Sequence, residues 1–215
     1  SQWNPLGLET ETKFYVEYQV AIVDHALAGQ TVKNKVTVNS DENIPKEEEE
    51  TIEVHAPELD IVKTSDKRTY HIGEKGYYQL TIRQIREDVT AFNVVITDSF
   101  SEPGMVIDPN SIAVLYNGSV VDDAVITAED HHFTIATGKD LEDQDKLEVY
   151  YTVTFTEESL SGKTITNTAT AKGDNTEEER QDHPVDVIDL LPRLAIEKTS
   201  DKTSYRVGET GHYTV

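Results

Sequence analysis

Three residues far apart in the chain, Lys63, Asp98 and Asn167, have side chains able to react with one another. A lysine amine is a nucleophile only when neutral, and burial favours the neutral form. An asparagine carboxamide is an electrophile once its carbonyl is polarised. A carboxylic acid held protonated by burial polarises that carbonyl and shuttles protons while ammonia leaves. The product would be an amide between Lys63 and Asn167, made once by the folding chain upon itself. Proximity supplied by a fold is worth about 7–11 kcal/mol of barrier in well-oriented cases.

The strand period is what would bring the three together. In "LDIVKTSDK" (59–67), Lys63 is in phase with Leu59 and Ile61, so it aims inward with them. In "AFNVVITDSF" (91–100), Asp98 is in phase with Phe92, Val94, Ile96 and Phe100. In "TITNTATA" (164–171), Asn167 is in phase with Ile165, Ala169 and Ala171. A lone buried lysine is expensive and an ordinary buried ion pair barely breaks even, whereas a neutral amide removes both problems. The competing reading puts Lys63 at a strand end with its amine reaching water, Asp98 at the start of a turn and Asn167 on an irregular edge. If Asp98 is not the acid, Glu74 and Asp66 are the next candidates.

The surrounding elements read as strands almost throughout. Tyr78, Leu80 and Ile82 alternate with polar neighbours, as do Phe92, Val94 and Ile96, and then Leu147, Val149, Tyr151, Val153 and Phe155. Asn117-Gly118 between β-rich flanks predicts a two-residue hairpin. "DPNS" (108–111) and "HIGEKG" (71–76) read as turns. Helix signals are weak. The expectation is an all-β, immunoglobulin-like β-sandwich of two sheets.

The chain also repeats itself. "LDIVKTSDKRTYHIGEKGYYQL" from Leu59 and "LAIEKTSDKTSYRVGETGHYTV" from Leu194 share 12 of 22 positions at an offset of 135. "YQVAIVDHALAGQTVKNKVTV" (18–38) matches "YTVTFTEESLSGKTITNTATA" (151–171) at an offset of 133. A tandem array is expected, with residues 1–57 the C-terminal part of a preceding repeat, 58–192 a complete one, and 193–215 the N-terminal part of a following one. The sequence is thus expected to be an excerpt of a longer protein. Asn34, between Val32 and Val36, and Lys198, after Leu194 and Ile196, occupy the equivalent crosslink positions in the partial repeats. Prolines 57 and 192 stand at the links, which are short and lack Gly/Ser runs, so stiff junctions are expected.

Composition narrows the function classes. The 215 residues hold 41 acidic and 19 basic side chains, a formal net charge of −22, and no cysteine. That charge opposes nucleic acid and anionic membranes as partners, and no disulfide or thiolate metal site is available. No apolar run approaches membrane-spanning length, and "SQWNPLGLET" at the start is not a signal peptide. "SGKT" (161–164) lacks the first glycine of a phosphate loop, having Glu157 there. His131 and His132, adjacent in a strand-like run, should face opposite sides and not easily chelate one metal; a surface site with Asp130 is the lesser alternative. "KEEEET" (46–51) and "DNTEEERQD" (174–182) read as solvated hairpin tips, and "NGS" (117–119) as the hairpin turn. No cofactor or metal motif is found.

Taken together, "LDIVKTSDKRTYHIGEKGYY … NVVITDSF … TITNTATA" resembles the conserved repeat domains of bacterial surface proteins. In particular it looks like the fimbrial and adhesin modules of Gram-positive cells that form intramolecular Lys–Asn isopeptide bonds, a CnaA-like sandwich. The likeness covers residues 59 to about 190 and both partial repeats in part. It implies Lys63 as nucleophile, Asn167 as acceptor and Asp98 as catalytic acid. Gln84 departs from the asparagine common there. The resemblance further implies a structural stalk module, extracellular and anchored to the cell wall through another region, not a turnover enzyme. Its partners would be adjacent repeats. The alternatives are that the repeats bind a host protein or glycan, or that they are accessory to a secreted glycan-degrading enzyme. A tie between Lys63 and Asn167 would close a loop of 105 residues. By analogy with a disulfide it would stabilise the fold by about 4–5 kcal/mol.

Overall fold

Period-two alternation governs what the strands bury. The computed structural model describes residues 15–41, 43–188 and 195–215. The hairpin of β1 (Thr31–Ser40) and β2 (Asn43–Glu53) comes first. Next come β3 (Leu59–Ser65), β4 (Thr69–His71), β5 (Lys75–Gln84), β6 (Val95–Phe100), β7 (Met105–Ile107) and β8 (Ala113–Tyr116). They are followed by β9 (Ser119–Val120), β10 (Val125–Glu129), β11 (His132–Ala136), β12 (Lys146–Phe155), β13 (Lys163–Lys172) and β14 (Glu179–Ile188). A two-stranded pair, β15 (Thr199–Ser200) and β16 (Tyr213–Thr214), closes the order. The helical content of the described residues is three 3-10 turns, one of them the "DPNS" segment capped by Asp108.

Strands β3 to β14 make a two-sheet sandwich. One sheet runs β3-β5-β12-β8-β9, with β7 also on β12; the other runs β10-β11-β6-β13-β14-β4. Pairing is antiparallel except between β14 and β4. Strand β12 shows the logic: Leu147, Val149, Tyr151, Val153 and Phe155 are buried while the intervening residues face outward. Each such side chain contributes about 1.5–3 kcal/mol on full burial. On the inner face Tyr151 stacks on its cross-strand neighbour Tyr78 at 5.3 Å and meets Phe133 of the other sheet edge-on at 4.9 Å. Asn117 and Gly118 join β8 to β9 with both φ angles positive, 49° and 82°, as a type I′ turn demands.

Several local expectations change. Strand β6 starts at Val95, not at Phe92, because Asn93 adopts φ +51°. That turn is held by Asn93 N donating to Asp140 (2.8 Å) and Asn93 Nδ2 to Asp174 (2.6 Å). Phe92 therefore leaves the core and stacks on His25, with centroids 4.1 Å apart and planes 2° from parallel. The "KEEEET" run is no hairpin tip. It lies within β2, where Glu47 and Glu49 pair with Lys35 (2.6 Å) and Lys33 (3.3 Å) across the hairpin. "DNTEEERQD" is a turn only at its start and becomes strand from Glu179. His131 sits in the β10–β11 turn, so its ring touches that of His132 at 5.3 Å instead of facing away. The junction at Pro192, together with Leu194 and residues 1–14, lies outside the described residues.

Gln84 has a local role. It is buried at the end of β5, where its amide Nε2 donates to the carbonyls of Arg86 (2.5 Å) and Val89 (2.6 Å). Its Oε1 accepts from Arg86 N. One side chain thus satisfies the backbone of the 85–90 loop.

Candidate crosslinking site

Lys63, Asp98 and Asn167 come from three strands in two sheets. Lys63 is on β3, the edge strand of the first sheet, opposite Leu80. Asp98 and Asn167 lie on adjacent strands of the second sheet. Asp98 is opposite Ala169, and Asn167 is opposite Phe100, so the two are diagonal neighbours on one face. Strands β13 and β14 pack against β3 across the interior. Lys63 is 5% exposed, and Asp98 and Asn167 are fully buried within strands. The alternative of a solvent-seeking lysine, a turn aspartate and an edge asparagine is therefore not the arrangement found.

The polar atoms form one connected cluster. Lys63 Nζ contacts Asp98 Oδ2 directly. Asp98 Oδ1 accepts from Tyr151 Oη at 2.9 Å. The same Tyr151 oxygen accepts from Asn167 Nδ2 at 2.8 Å. Asn167 Oδ1 finds no donor among the described residues. Aromatic rings of Tyr78, Tyr151, Phe133 and Phe100 pack around the cluster and keep its surroundings apolar.

Burial dominates the electrostatics. It lowers Lys63 to about 8, against the opposing attraction of Asp98. It raises the Asp98 carboxyl, against the opposing charge of Lys63. An exposed ion pair would move both groups the other way. Here both move toward neutral amine and neutral acid, the forms that nucleophilic attack and acid catalysis require. The expected contact of Asp98 with the Asn167 carbonyl is not formed: the acid connects to the Nδ2 side of the carboxamide instead. Tyr151 is held well above the usual phenol range, first by burial and then by the nearby Asp98 charge.

The other candidate acids are elsewhere. Glu74 pairs with Lys67 near the surface and accepts from His71 N at 2.9 Å. Asp66 accepts from Tyr70 Oη (2.7 Å) and Tyr77 N (2.8 Å). Asn34 and Lys198 are exposed. Asn34 Nδ2 donates to Tyr18 Oη at 2.6 Å, and Lys198 Nζ lies 4.9 Å from the Tyr213 ring centre. The residue that sequence reasoning left as plain core is Tyr151. Its signal was present in the repeat, where Tyr18 and Asn34 stand to each other as Tyr151 and Asn167 do. Among the described residues no group of three or more His, Cys, Asp or Glu is placed to hold a metal ion, and no helix is long and apolar enough to cross a membrane.

No protein-family model matches the chain, and no curated protein sequence does. Solved structures similar to it include the pilus backbone RrgB of Streptococcus pneumoniae, at 12% identity over 56% of this chain and 32% of that one, with TM-score 0.48. The major pilin subunit BcpA of Bacillus cereus is similar at 19% identity over 74% of this chain and 48% of that one, with TM-score 0.45. A collagen-binding domain from a Staphylococcus aureus adhesin is similar at 13% identity over 60% of this chain and 96% of that one, with TM-score 0.40. The chain spans half or less of the length of the two pilins. All three are pilin or adhesin domains of Gram-positive bacteria.

Proposed function

We propose that residues 58–192 are one stalk module of a tandem array on a bacterial surface, an adhesin or pilus-like protein, and that the module locks itself with an isopeptide bond between Lys63 and Asn167. The reading rests on one observation above all: an amine, a carboxyl and a carboxamide meet in a water-poor interior. There, burial drives the amine and the acid toward their uncharged forms. Neutral Lys63 Nζ attacks Asn167 Cγ while Asp98 acts as acid and base. The Cγ–Nδ2 bond breaks, ammonia departs, and one amide replaces two costly buried polar groups.

Such a bond suits a chain under tension. It does not depend on the redox state of its surroundings, and the chain has no cysteine to do the same work. On this reading residues 1–57 and 193–215 belong to neighbouring modules, and the protein is extracellular. The chemistry turns over once, so the module is a self-crosslinking structure rather than an enzyme.

Intact-mass measurement of the purified 215-residue chain tests the proposal. The expected mass is lower than the sequence mass by one ammonia, and Asp98→Ala should restore the full value. A folded wild-type chain at its full sequence mass would overturn the crosslink.

A further inference from the structure

We propose that Tyr151 is a catalytic residue of the crosslinking reaction, carrying a proton between Asp98 and the nitrogen that leaves Asn167. This rests on the crosslinking reading above and adds a participant to it.

The geometry gives the carboxyl of Asp98 two sides. Oδ2 faces the nucleophile, Lys63 Nζ. Oδ1 is joined to the leaving group through Tyr151, whose Oη lies 2.9 Å from Oδ1 and 2.8 Å from Asn167 Nδ2. A phenol is both donor and acceptor, so this hydroxyl is a two-way connection. It is also fully desolvated, in a cluster whose other polar atoms are those of the reacting groups.

The reaction needs such a connection. An amide nitrogen is a poor leaving group until it is protonated, and its lone pair is committed to the planar carboxamide. In the unreacted state Nδ2 therefore donates to Tyr151 Oη, which donates to Asp98 Oδ1. Attack by Nζ on Cγ makes the carbon tetrahedral and frees the nitrogen lone pair. The hydrogen bonds then reverse. For the step to run, Asp98 is the neutral acid with its single proton on Oδ1 and Oδ2 bare: Nζ gives one proton to Oδ2, Oδ1 gives its proton to Tyr151 Oη, and Tyr151 gives its own to Nδ2. The carbonyl re-forms as the Cγ–Nδ2 bond breaks. Nζ ends with one hydrogen, Nδ2 leaves as ammonia with three, Tyr151 is again a neutral phenol, and Asp98 is again a neutral acid with its proton now on Oδ2.

The repeat supplies a second, independent observation. The Tyr18–Asn34 pair, 133 positions earlier, makes the same Nδ2-to-Oη contact at 2.6 Å. A tyrosine kept only as an apolar wall would not require that contact in both places. Tyr151 does also stack on Tyr78 and meet Phe133 edge-on, so the test must leave the ring in place.

The full chain, recovered unlinked from denatured inclusion bodies, is refolded at one pH and quenched at intervals for intact mass. Tyr151→Phe keeps the ring and removes only Oη. It is expected to reach the folded state, seen by circular dichroism and protease resistance, yet to lose ammonia about 10²–10⁴-fold more slowly than wild type. Tyr70→Phe, which removes a buried hydroxyl bound to Asp66, should link at the wild-type rate. If wild type links and folded Tyr151→Phe links equally fast, the relay is wrong and the crosslink stands. If wild type itself never loses ammonia, the crosslink reading falls. Should Tyr151→Phe fold poorly in buffer, the comparison is run for both proteins in sucrose, which favours the compact state, with the same two outcomes decisive.

Discussion

Asn167 is only half satisfied: its Nδ2 donates to Tyr151 Oη at 2.8 Å, while its Oδ1 has no donor among the described residues. A buried acceptor left unpaired costs about 1–3 kcal/mol. The unreacted cluster therefore carries an unmet cost at Oδ1, the oxygen that the proposed reaction retains as the carbonyl of the new amide.

The first prediction concerns pH and the unlinked fold. In Asn167→Ala, Lys63 remains a free amine. Its folded value of about 8 lies below the ordinary 10.5, so between those values the unfolded chain binds more protons than the folded one. Stability then rises with pH through that window. Asp98 is shifted upward from 3.8, so the folded chain holds the extra proton above that value and stability falls as pH climbs through the Asp98 window. Thermal melts of Asn167→Ala should shift upward from about pH 8 to 10. Wild type, with Lys63 converted to an amide, should lack that rise. The buried tyrosines are all held above the ordinary 10, so their contribution begins only above this window.

The second prediction separates a crosslink from a buried ion pair. Were Lys63 and Asp98 only paired, replacing both with Lys63→Met and Asp98→Leu would be neutral or would stabilise by about 1–4 kcal/mol. With a crosslink, the same double variant forfeits about 4–5 kcal/mol of loop constraint. Guanidinium unfolding should place it below wild type. It should still lie above Lys63→Met alone, which leaves the Asp98 carboxyl buried without its partner.

Pulling experiments give the third. Strand β13, which carries Asn167, is the penultimate strand of the sandwich, and β14 lies outside the covalent loop. Force on the ends of the linked domain should therefore strip β14 but stop at Asn167. The 21 residues from 168 to 188 allow roughly 70 Å of extension. Asn167→Ala should release the 105-residue loop as well, adding roughly 350 Å. Equal extensions in the two proteins would exclude a Lys63–Asn167 bond.

The fourth concerns Gln84. Its amide satisfies three backbone groups of the 85–90 loop. Gln84→Ala should destabilise by about 1–3 kcal/mol, read from chemical denaturation. Gln84→Asn, one methylene shorter, should keep part of that stability and leave the rate of crosslinking unchanged.

Period-two alternation was enough to identify β3, β5, β12 and β13, the inward phase of Lys63, Asp98 and Asn167, and the Asn117-Gly118 turn, because strand phase and turn chemistry are local properties. It failed at Phe92, where Asn93 flips to a left-handed conformation under the pull of Asp140 and Asp174, residues 47 and 81 positions away. It failed again at "KEEEET", whose charges settle in a strand because the facing β1 carries lysines.

What the order of residues determined alone is which side chains point inward and that the pattern recurs. Tertiary structure decided which of them meet. Phase says that a residue faces the interior but not what it faces, since that depends on how two sheets are laid over one another. Only the pairing of β6 with β13, and the placement of β3 and β12 across from them, puts Tyr151 between Asp98 and Asn167.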